Sequence, residues 1–334
     1  MTTNNDVILS GIRATGRLHF GNFIGAVRHF VDFQKPGNRC FYFIADWHTL
    51  TTIPDPRELK ANLREIVKDY LAAGLDPDVS VLYAQSSVPE LAELSLLLSM
   101  VQPLGALQNV PTFKELVRKN PDRVSLGLIT YPVLMAADIL GPKTTLVPVG
   151  ADQVPNVELA RELARKWNEQ FGDVFVIPRT MERMDKVPGL DGSKMGKSEA
   201  DNAVSINDPM PEIEARYLKF AVTDPERTTR SVPGDPYNRC RSVYPLHELI
   251  TAGEAQSREI AGKCLSAGIG CVDCKKLLVS SIGKVLEPFQ AARREWAERD
   301  ADVVEILHEG GKKAREVVAE TLAQVRDRMG ITVY

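Results

Sequence analysis

Val7-Ile8-Leu9-Ser10-Gly11-Ile12-Arg13-Ala14-Thr15-Gly16-Arg17-Leu18-His19-Phe20-Gly21-Asn22 runs directly into Phe23-Ile24-Gly25-Ala26-Val27. The stretch begins with an apolar run that reads as a strand buried on both faces, and Ile24 to Val27 reads as helix. Small residues in the intervening turn let a ligand approach the backbone, and the N-terminus of the following helix favours phosphate. His19 is then a hydrogen-bond donor close to a phosphate, and Gly21 leaves room for an adenine base. A tight turn with a capping Asn22 and a surface His19 fits the same residues, and His-x-Gly-Asn alone does not choose. The turn lacks Gly-x-Gly-x-x-Gly, so a dinucleotide-binding loop fits poorly.

The strand-helix alternation continues outward. Phe41 to Ala45, Val81 to Tyr83, Leu146 to Val149 and Val174 to Ile177 read as further buried strands. One helix is predicted from Asp55, with Asp55 capping, Pro56 at the first helical position and Glu58 completing a capping box. Its apolar face is Leu59, Leu63, Ile66, Val67, Tyr70 and Leu71, and Gly74 ends it in the left-handed conformation. Another helix carries Leu159, Leu163, Trp167 and Phe171. This alternation predicts an α/β fold with a doubly wound parallel sheet. After Pro188 the composition changes: residues 189–209 read as a mobile loop rather than a packed element, and Ser231 to Asn238 as a second loop. Helices dominate beyond, over Leu277 to Phe289, Val303 to His308 and Ala314 to Met329. The expected division is a catalytic α/β domain over 1–200 and a smaller helical domain over 201–334, its last helix packing back on the first domain.

The 334 residues are 44% hydrophobic and 25% charged, the balance of a soluble globular protein. A formal charge of -3 gives no global positive field, so any nucleic-acid surface must be a local patch. Met1 to Asp6 lacks the layout of a signal peptide and no apolar run reaches membrane-spanning length, which predicts a cytoplasmic protein without a membrane partner. In a reducing compartment, clustered thiols are metal ligands more often than disulfides. Cys40 reads as a small buried hydrophobe. The other four cysteines, Cys240, Cys264, Cys271 and Cys274, follow Cys-x23-Cys-x6-Cys-x2-Cys. Four thiolates suit tetrahedral zinc or a cubane iron-sulfur cluster, and spacing does not decide between them. Arg239, Arg241, Lys263, Lys275 and Lys276 lie nearby in sequence, a charge suited to RNA phosphates.

Lys194-Met195-Gly196-Lys197-Ser198 follows the last predicted strand. Two lysines on a flexible loop can fold over a polyphosphate and stabilise charge that grows in a transition state. Alone, the loop could equally be a solvated basic segment. The turn after the first strand and the lysine loop after the last both fall where strand carboxyl ends gather. Together they point to an enzyme that activates a carboxylate with ATP. A third block, Tyr131-Pro132-Val133-Leu134-Met135-Ala136-Ala137-Asp138-Ile139-Leu140, puts Tyr131, Met135 and Asp138 on one helix face by their spacing of four and three. An Asp in so apolar a helix needs a partner, because an unpaired buried carboxylate is costly.

These blocks, with Ile44-Ala45-Asp46-Trp47-His48, Val147-Pro148-Val149-Gly150, Asp152-Gln153 and Gly311-Lys312-Lys313-Ala314-Arg315-Glu316, resemble the class I aminoacyl-tRNA synthetases, and within them the tryptophanyl enzymes. The resemblance covers nearly the whole chain. It implies a Rossmann-type catalytic domain, Mg²⁺-ATP as co-substrate, L-tryptophan and tRNA(Trp) as partners, and a homodimer. Leu94 to Val101 could supply the dimer interface, although a core helix explains that stretch equally well. By this resemblance Asp138 accepts the indole N–H and Met135 packs on the ring. Tyr131, Asp152 and Gln153 hold the α-amino end, while His48 and Val149 line the pocket. His19, Asn22, Lys194 and Lys197 carry catalysis; Arg13, Thr15, Gly21, Gly150, Asp152, Gln153, Met195 and Ser198 join Asn22 and the two lysines in ATP binding. The segment Gly-Cys-Val-Asp-Cys-Lys-Lys-Leu-Leu is similar to a subset of tryptophanyl enzymes with a [4Fe-4S] cluster on the anticodon side, zinc being the alternative occupant. The chain departs from the family pattern at Arg13-Ala14, Ala151, Val154-Pro155-Asn156 and Gly196. A tyrosyl enzyme and a synthetase-like paralogue that charges no tRNA are the alternative readings.

Overall fold

The computed structural model of the chain describes residues 5–52, 55–119, 124–182, 186–196, 201–251 and 253–331. It falls into two compact units, each discontinuous in sequence: Met1–Gly16, Phe30–Met184 and Glu298–Tyr334 form one, Arg17–His29 and Asp185–Ala297 the other.

The first unit is built on five parallel strands, β1 (Val7–Ile12), β2 (Arg39–Ile44), β3 (Ser80–Ala84), β4 (Leu146–Val149) and β5 (Arg179–Glu182), ordered β3-β2-β1-β4-β5. Leu9 lies opposite Phe41, Phe41 opposite Val81, and Ile8 opposite Leu146. The winding reverses between β1 and β4, the switch point at which a doubly wound sheet opens a crevice at its carboxyl edge. The last strand is not Val174 to Ile177 but Arg179–Glu182, paired with β4. The reason is local. Asn168 Oδ1 accepts the backbone N–H of Val174 and Phe175 at 3.2 and 3.1 Å, and its Nδ2 donates to Phe175 O at 2.8 Å. A side chain thus replaces the ladder partner, and strand pairing starts only after Pro178.

The helix Pro56–Ala72 starts on Asp55, whose carboxylate accepts the Arg57 N–H at 2.8 Å; Glu58 does not complete the expected box. Gly74, at φ +101°, ends it, with Leu75 N–H returned to Tyr70 O. The expected pair Val303 to His308 and Ala314 to Met329 is one helix, Asp300–Arg328. Gly310 and Gly311 do not break it; they let it lie against β3. A Cβ on Gly310 would stand 1.8 Å from Leu82 O, and one on Gly311 2.6 Å from Ser87 Oγ. Ala314, Val318, Leu322 and Val325 join Leu9, Phe41, Leu91, Leu98, Val133, Leu163 and Trp167 in this unit's core. Lys68 and Arg64 meet Asp300 at the start of that helix, and Arg315 and Arg326 meet Glu90 and Glu93 further along. Of the apolar Leu94 to Val101 stretch, Leu94, Leu97 and Leu98 are core, while Leu96 and Met100 are 56% and 67% exposed.

The second unit is helical, with Met210–Phe220, Val243–Ile250, Glu254–Leu265 and Cys271–Glu295. Phe20, Ile24, Ile213, Tyr217, Leu246, Leu278, Ile282 and Leu286 are among its buried apolar residues. The segment 189–209 is irregular but, where described, packed: Leu190, Met195, Val204 and Ile206 are buried. Buried Asn202 ties it, its backbone C=O accepting from Leu190 N–H and its Nδ2 donating to Lys194 O at 2.9 Å. Isolated apolar residues among Gly, Ser and Asp hid that anchoring in the sequence.

Candidate active site

In the first unit, turns after β1, β2, β3 and β4 and the helix Leu126–Leu140 supply a buried polar cluster. That helix starts on Ser125, whose hydroxyl accepts the Leu128 N–H. It brings Tyr131, Met135 and Asp138 to one face, as their spacing predicted. Asp138 is 1% exposed and has partners: His48 Nε2 lies 2.9 Å from Oδ2, and Gln85 Nε2 donates to Oδ1 and Oδ2 at 2.8 and 2.9 Å. Burial pushes this carboxyl above the usual range, against the opposing pull of the His48 and Gln85 hydrogen bonds. The His48 ring meets the Tyr131 ring edge-on at 4.6 Å between centroids. Tyr131 OH lies 3.5 Å from Gln153 Oε1 and 3.9 Å from the Met135 sulfur. Asn156, fully buried, donates to Gln153 Oε1 at 3.0 Å, so the unusual Val154-Pro155-Asn156 segment holds the glutamine in place. Gln153 Nε2 in turn donates to exposed Asp152.

The cluster therefore joins His48, Tyr131, Met135, Asp138, Gln153 and Asp152. Val149 is buried at the end of β4, and Gly150 begins the 3₁₀ turn Ala151–Gln153. Arg13 is held by the hydroxyls of Thr51 and Thr52, and burial lowers its pKa. Thr15 follows it on an exposed turn. Gln85 was not singled out from the sequence. It sits in the 3₁₀ turn Gln85–Ser87 that ends β3, and a polar side chain at the carboxyl end of a parallel strand was the available signal.

In the second unit the two short motifs meet. His19 caps the turn Phe20–Asn22: its Nδ1 accepts the Asn22 N–H at 3.2 Å, while Asn22 Oδ1 accepts the His19 N–H at 3.3 Å. The chain then winds as a π-helical turn, Phe23–Val27, an uncommon geometry frequent at functional sites. Phe20 N–H donates to Val204 O, and Gly21 N–H points at the Met195 sulfur at 3.1 Å. A Cβ on Gly21 would come within 2.9 Å of Met195 Cβ, so the space over Gly21 is filled by the lysine loop itself. Lys194 is exposed beside it. Gly196 has nothing near its missing Cβ but Lys194 O at 3.9 Å, so a serine side chain there would not be crowded. Lys197 and Ser198 lie outside the described residues.

The four cysteines come from three segments of the same unit, Cys271 and Cys274 sharing the first turn of the helix Cys271–Glu295, and lie near one another. Burial and the neighbouring thiols push Cys274 up to about 12, and burial raises Cys240 and Cys264. The Arg227 guanidinium reaches Cys264 and Cys271 at 3.7 and 4.0 Å while donating to Ile269 O and Arg230 O. Gly234 is needed where it stands, because a Cβ would lie 2.7 Å from Cys264 Sγ. The expected positive patch is partly neutralised: Arg239 meets Asp224 and Glu226, and Lys263 meets Glu259.

A family model described as class I tRNA synthetases (W and Y) matches residues 1–287. The tryptophan–tRNA ligase of Thermotoga maritima is 44% identical, over 97% of this chain and 99% of the relative. That of Porphyromonas gingivalis is 42% identical, with the same coverage. Among solved structures, tryptophanyl-tRNA synthetase from Campylobacter jejuni, crystallised with ADP and tryptophan, matches with a TM-score of 0.84 and 34% identity, covering 97% of this chain and 99% of that one.

Proposed function

The chain belongs to the class I tRNA synthetases of the tryptophan and tyrosine branch and acts as a tryptophan–tRNA ligase, and we propose that its Asp138 carboxylate selects the substrate by accepting the indole N–H. The observation that carries this reading is a carboxylate 1% exposed, on a helix face with Met135 and Tyr131, its oxygens met among the described residues by N–H donors. A site built around a buried acceptor rejects analogues that lack the donor, because the acceptor is then left unpaired. Met135 packs on the ring, His48 and Val149 line it, and Tyr131, Gln153 and Asp152 hold the α-amino group. The carboxylate of the amino acid is left free to attack the α-phosphate of ATP. The test is amino-acid-dependent ATP–pyrophosphate exchange over all twenty amino acids, in the native chain and in Asp138→Ala. Exchange confined to tryptophan and lost in the variant supports the assignment; an unchanged tryptophan-to-phenylalanine ratio in the variant removes Asp138 from the role.

ATP with Mg²⁺ is the co-substrate expected of the class. Of the nucleotide-handling residues, Arg13, Thr15, Gly150, Asp152 and Gln153 belong to the sheet unit, and His19, Gly21, Asn22, Lys194, Met195, Lys197 and Ser198 to the helical segment. His19 and Asn22 bind phosphate from a turn they brace themselves. Lys194 and Lys197 stabilise the charge that builds on the departing pyrophosphate. Catalysis rests on positioning and on these fixed charges, with no covalent enzyme intermediate.

Cys240, Cys264, Cys271 and Cys274 would hold a [4Fe-4S] cluster, supported by the gathering of four thiols and the room kept by Gly234. Such a group would cross-link the helical segment that we assign to the tRNA anticodon side. Residues 1–200 are assigned to catalysis. A homodimer, with exposed Leu96 and Met100 at its contact, and a cytoplasmic location complete the proposal. Anaerobic purification with metal analysis tests the cluster: iron and inorganic sulfide support it, and a zinc-loaded, iron-free protein rejects it.

A further inference from the structure

Gln85 is fully buried and makes every hydrogen bond of its amide inside the polar cluster. Its orientation is fixed by its partners: the His48 backbone N–H can only donate, so Oε1 faces it at 3.4 Å, and Nε2 faces Asp138. The turn that carries it is clamped from both sides. Asp46 accepts from the Ser86 N–H at 3.0 Å and from the Ser86 hydroxyl, and Gly311 of the Asp300–Arg328 helix lies close against Ser87. Among the described residues His48 Nδ1 is buried without a partner, and Nε2 lies 2.9 Å from Asp138 Oδ2; a carboxylate can only accept, so it is Nε2 that donates.

From this we infer that Gln85 is the positioning and specificity-determining residue behind Asp138. It keeps the carboxylate an acceptor and aims its remaining lone pairs at the N–H of the substrate ring. The inference rests on the reading of Asp138 as the indole acceptor. The physical argument is one of competition. Burial favours the protonated carboxyl, which would offer a donor where the indole needs an acceptor. Hydrogen bonds from Gln85 and His48 oppose that. The other charged or titratable groups that face Asp138 are Asp46 from the turn after β2, Tyr83 from β3 and Tyr131 from its own helix. Asp46, carrying the same sign, adds to the push toward protonation, and the tyrosines donate nothing to Asp138. Removing the amide therefore leaves His48 as the single donor.

The experiment measures pyrophosphate exchange with tryptophan and with benzothienylalanine, which has the shape of tryptophan but no ring N–H. It compares wild type, Gln85→Met and Gln85→Glu from mildly acidic to mildly alkaline pH. Gln85→Met should lose roughly 10- to 100-fold in kcat/KM for tryptophan, mostly through KM. It should lose little with the analogue, so the ratio of the two collapses, and the loss should deepen as pH falls. Gln85→Glu should behave in the opposite sense. Its paired carboxyls need one shared proton to replace the amide N–H, so discrimination should recover as pH falls. A wild type that discriminates, with both variants keeping its ratio at every pH, overturns the inference. So does an equal loss for both substrates that tracks a lowered Tm, which would make Gln85 merely structural. A wild type that treats the two substrates alike overturns the Asp138 reading instead, and the inference falls with it.

Discussion

Gly310→Ala is the smallest change that should disturb both the fold and the pocket. The new Cβ would lie 1.8 Å from Leu82 O and 2.7 Å from Leu82 C, where 3.0 Å is the nearest approach real Cβ atoms show. The obstacle is backbone in β3, so no rotamer change relieves it. Helix and strand must part by about an ångström, loosening Ala314, Val318 and Leu322 in the core. Overpacking of this kind costs about 1–3 kcal/mol, and a backbone clash belongs at the upper end. Replacing glycine by alanine inside a helix returns about 1 kcal/mol. The net expectation is a loss of about 2 kcal/mol, a fall of roughly 3 °C in Tm for a chain of this size. Gly262→Ala is the control. It lies within the helix Glu254–Leu265, meets nothing within 4 Å, and should be neutral or stabilising by up to about 1 kcal/mol. Circular dichroism melts of the two variants make the comparison, with tryptophan KM measured alongside because β3 leads into Gln85. A Gly310→Ala protein as stable as wild type would falsify the account of these glycines as close-contact residues.

Alanine at Lys194 or Lys197 should cost roughly 10²–10³ in exchange rate, with tryptophan affinity retained by equilibrium dialysis; normal turnover in both would reduce the loop to a linker. Asp138→Asn should gain stability relative to wild type as pH rises from acid. The folded-state pKa of Asp138 is raised, so the native wild type binds the extra proton and loses stability as pH climbs through that pKa, whereas the amide has no proton to lose. Parallel urea titrations at stepped pH would show this, and a constant difference between the two proteins would count against it. On the proposed cluster, Cys274→Ser should abolish iron binding by the purified protein and lower its melting temperature while leaving the exchange reaction within a few-fold of wild type. A large loss of exchange would show that the thiol site supports adenylation directly.

The parts of this fold that were legible in the sequence are those where one residue type has one environment. Apolar runs such as Phe41 to Ile44 could only be buried strands, and the spacing of Tyr131, Met135 and Asp138 could only be one helical face. Illegible parts depend on what lies across from them. Val174 to Ile177 is apolar enough for a strand, but Asn168 takes its backbone. Gly310-Gly311 reads as a helix break until β3 is placed beside it, and Gln85 goes unnoticed until Asp138 faces it. In the lysine loop, single apolar residues such as Leu190 and Val204 carry no periodicity, so their burial had no pattern to announce it.

The position of the Asp300–Arg328 helix against β3 has a consequence for how the protein is made. β3 is an outer strand of the sheet, and the helix that rests on it lies more than two hundred residues later in the chain. At ordinary rates of synthesis, roughly 5–20 residues per second, Leu82 emerges from the ribosome some tens of seconds before Gly310 can cover it. For that interval the nascent pocket stands open along the strand that delivers Gln85. Ribosome-stalled chains ending before residue 300 should be cut by protease in the 80–110 region and protected once the last helix is out. If the short chains were already protected, the helix would be a late addition to a finished domain rather than its final closing piece.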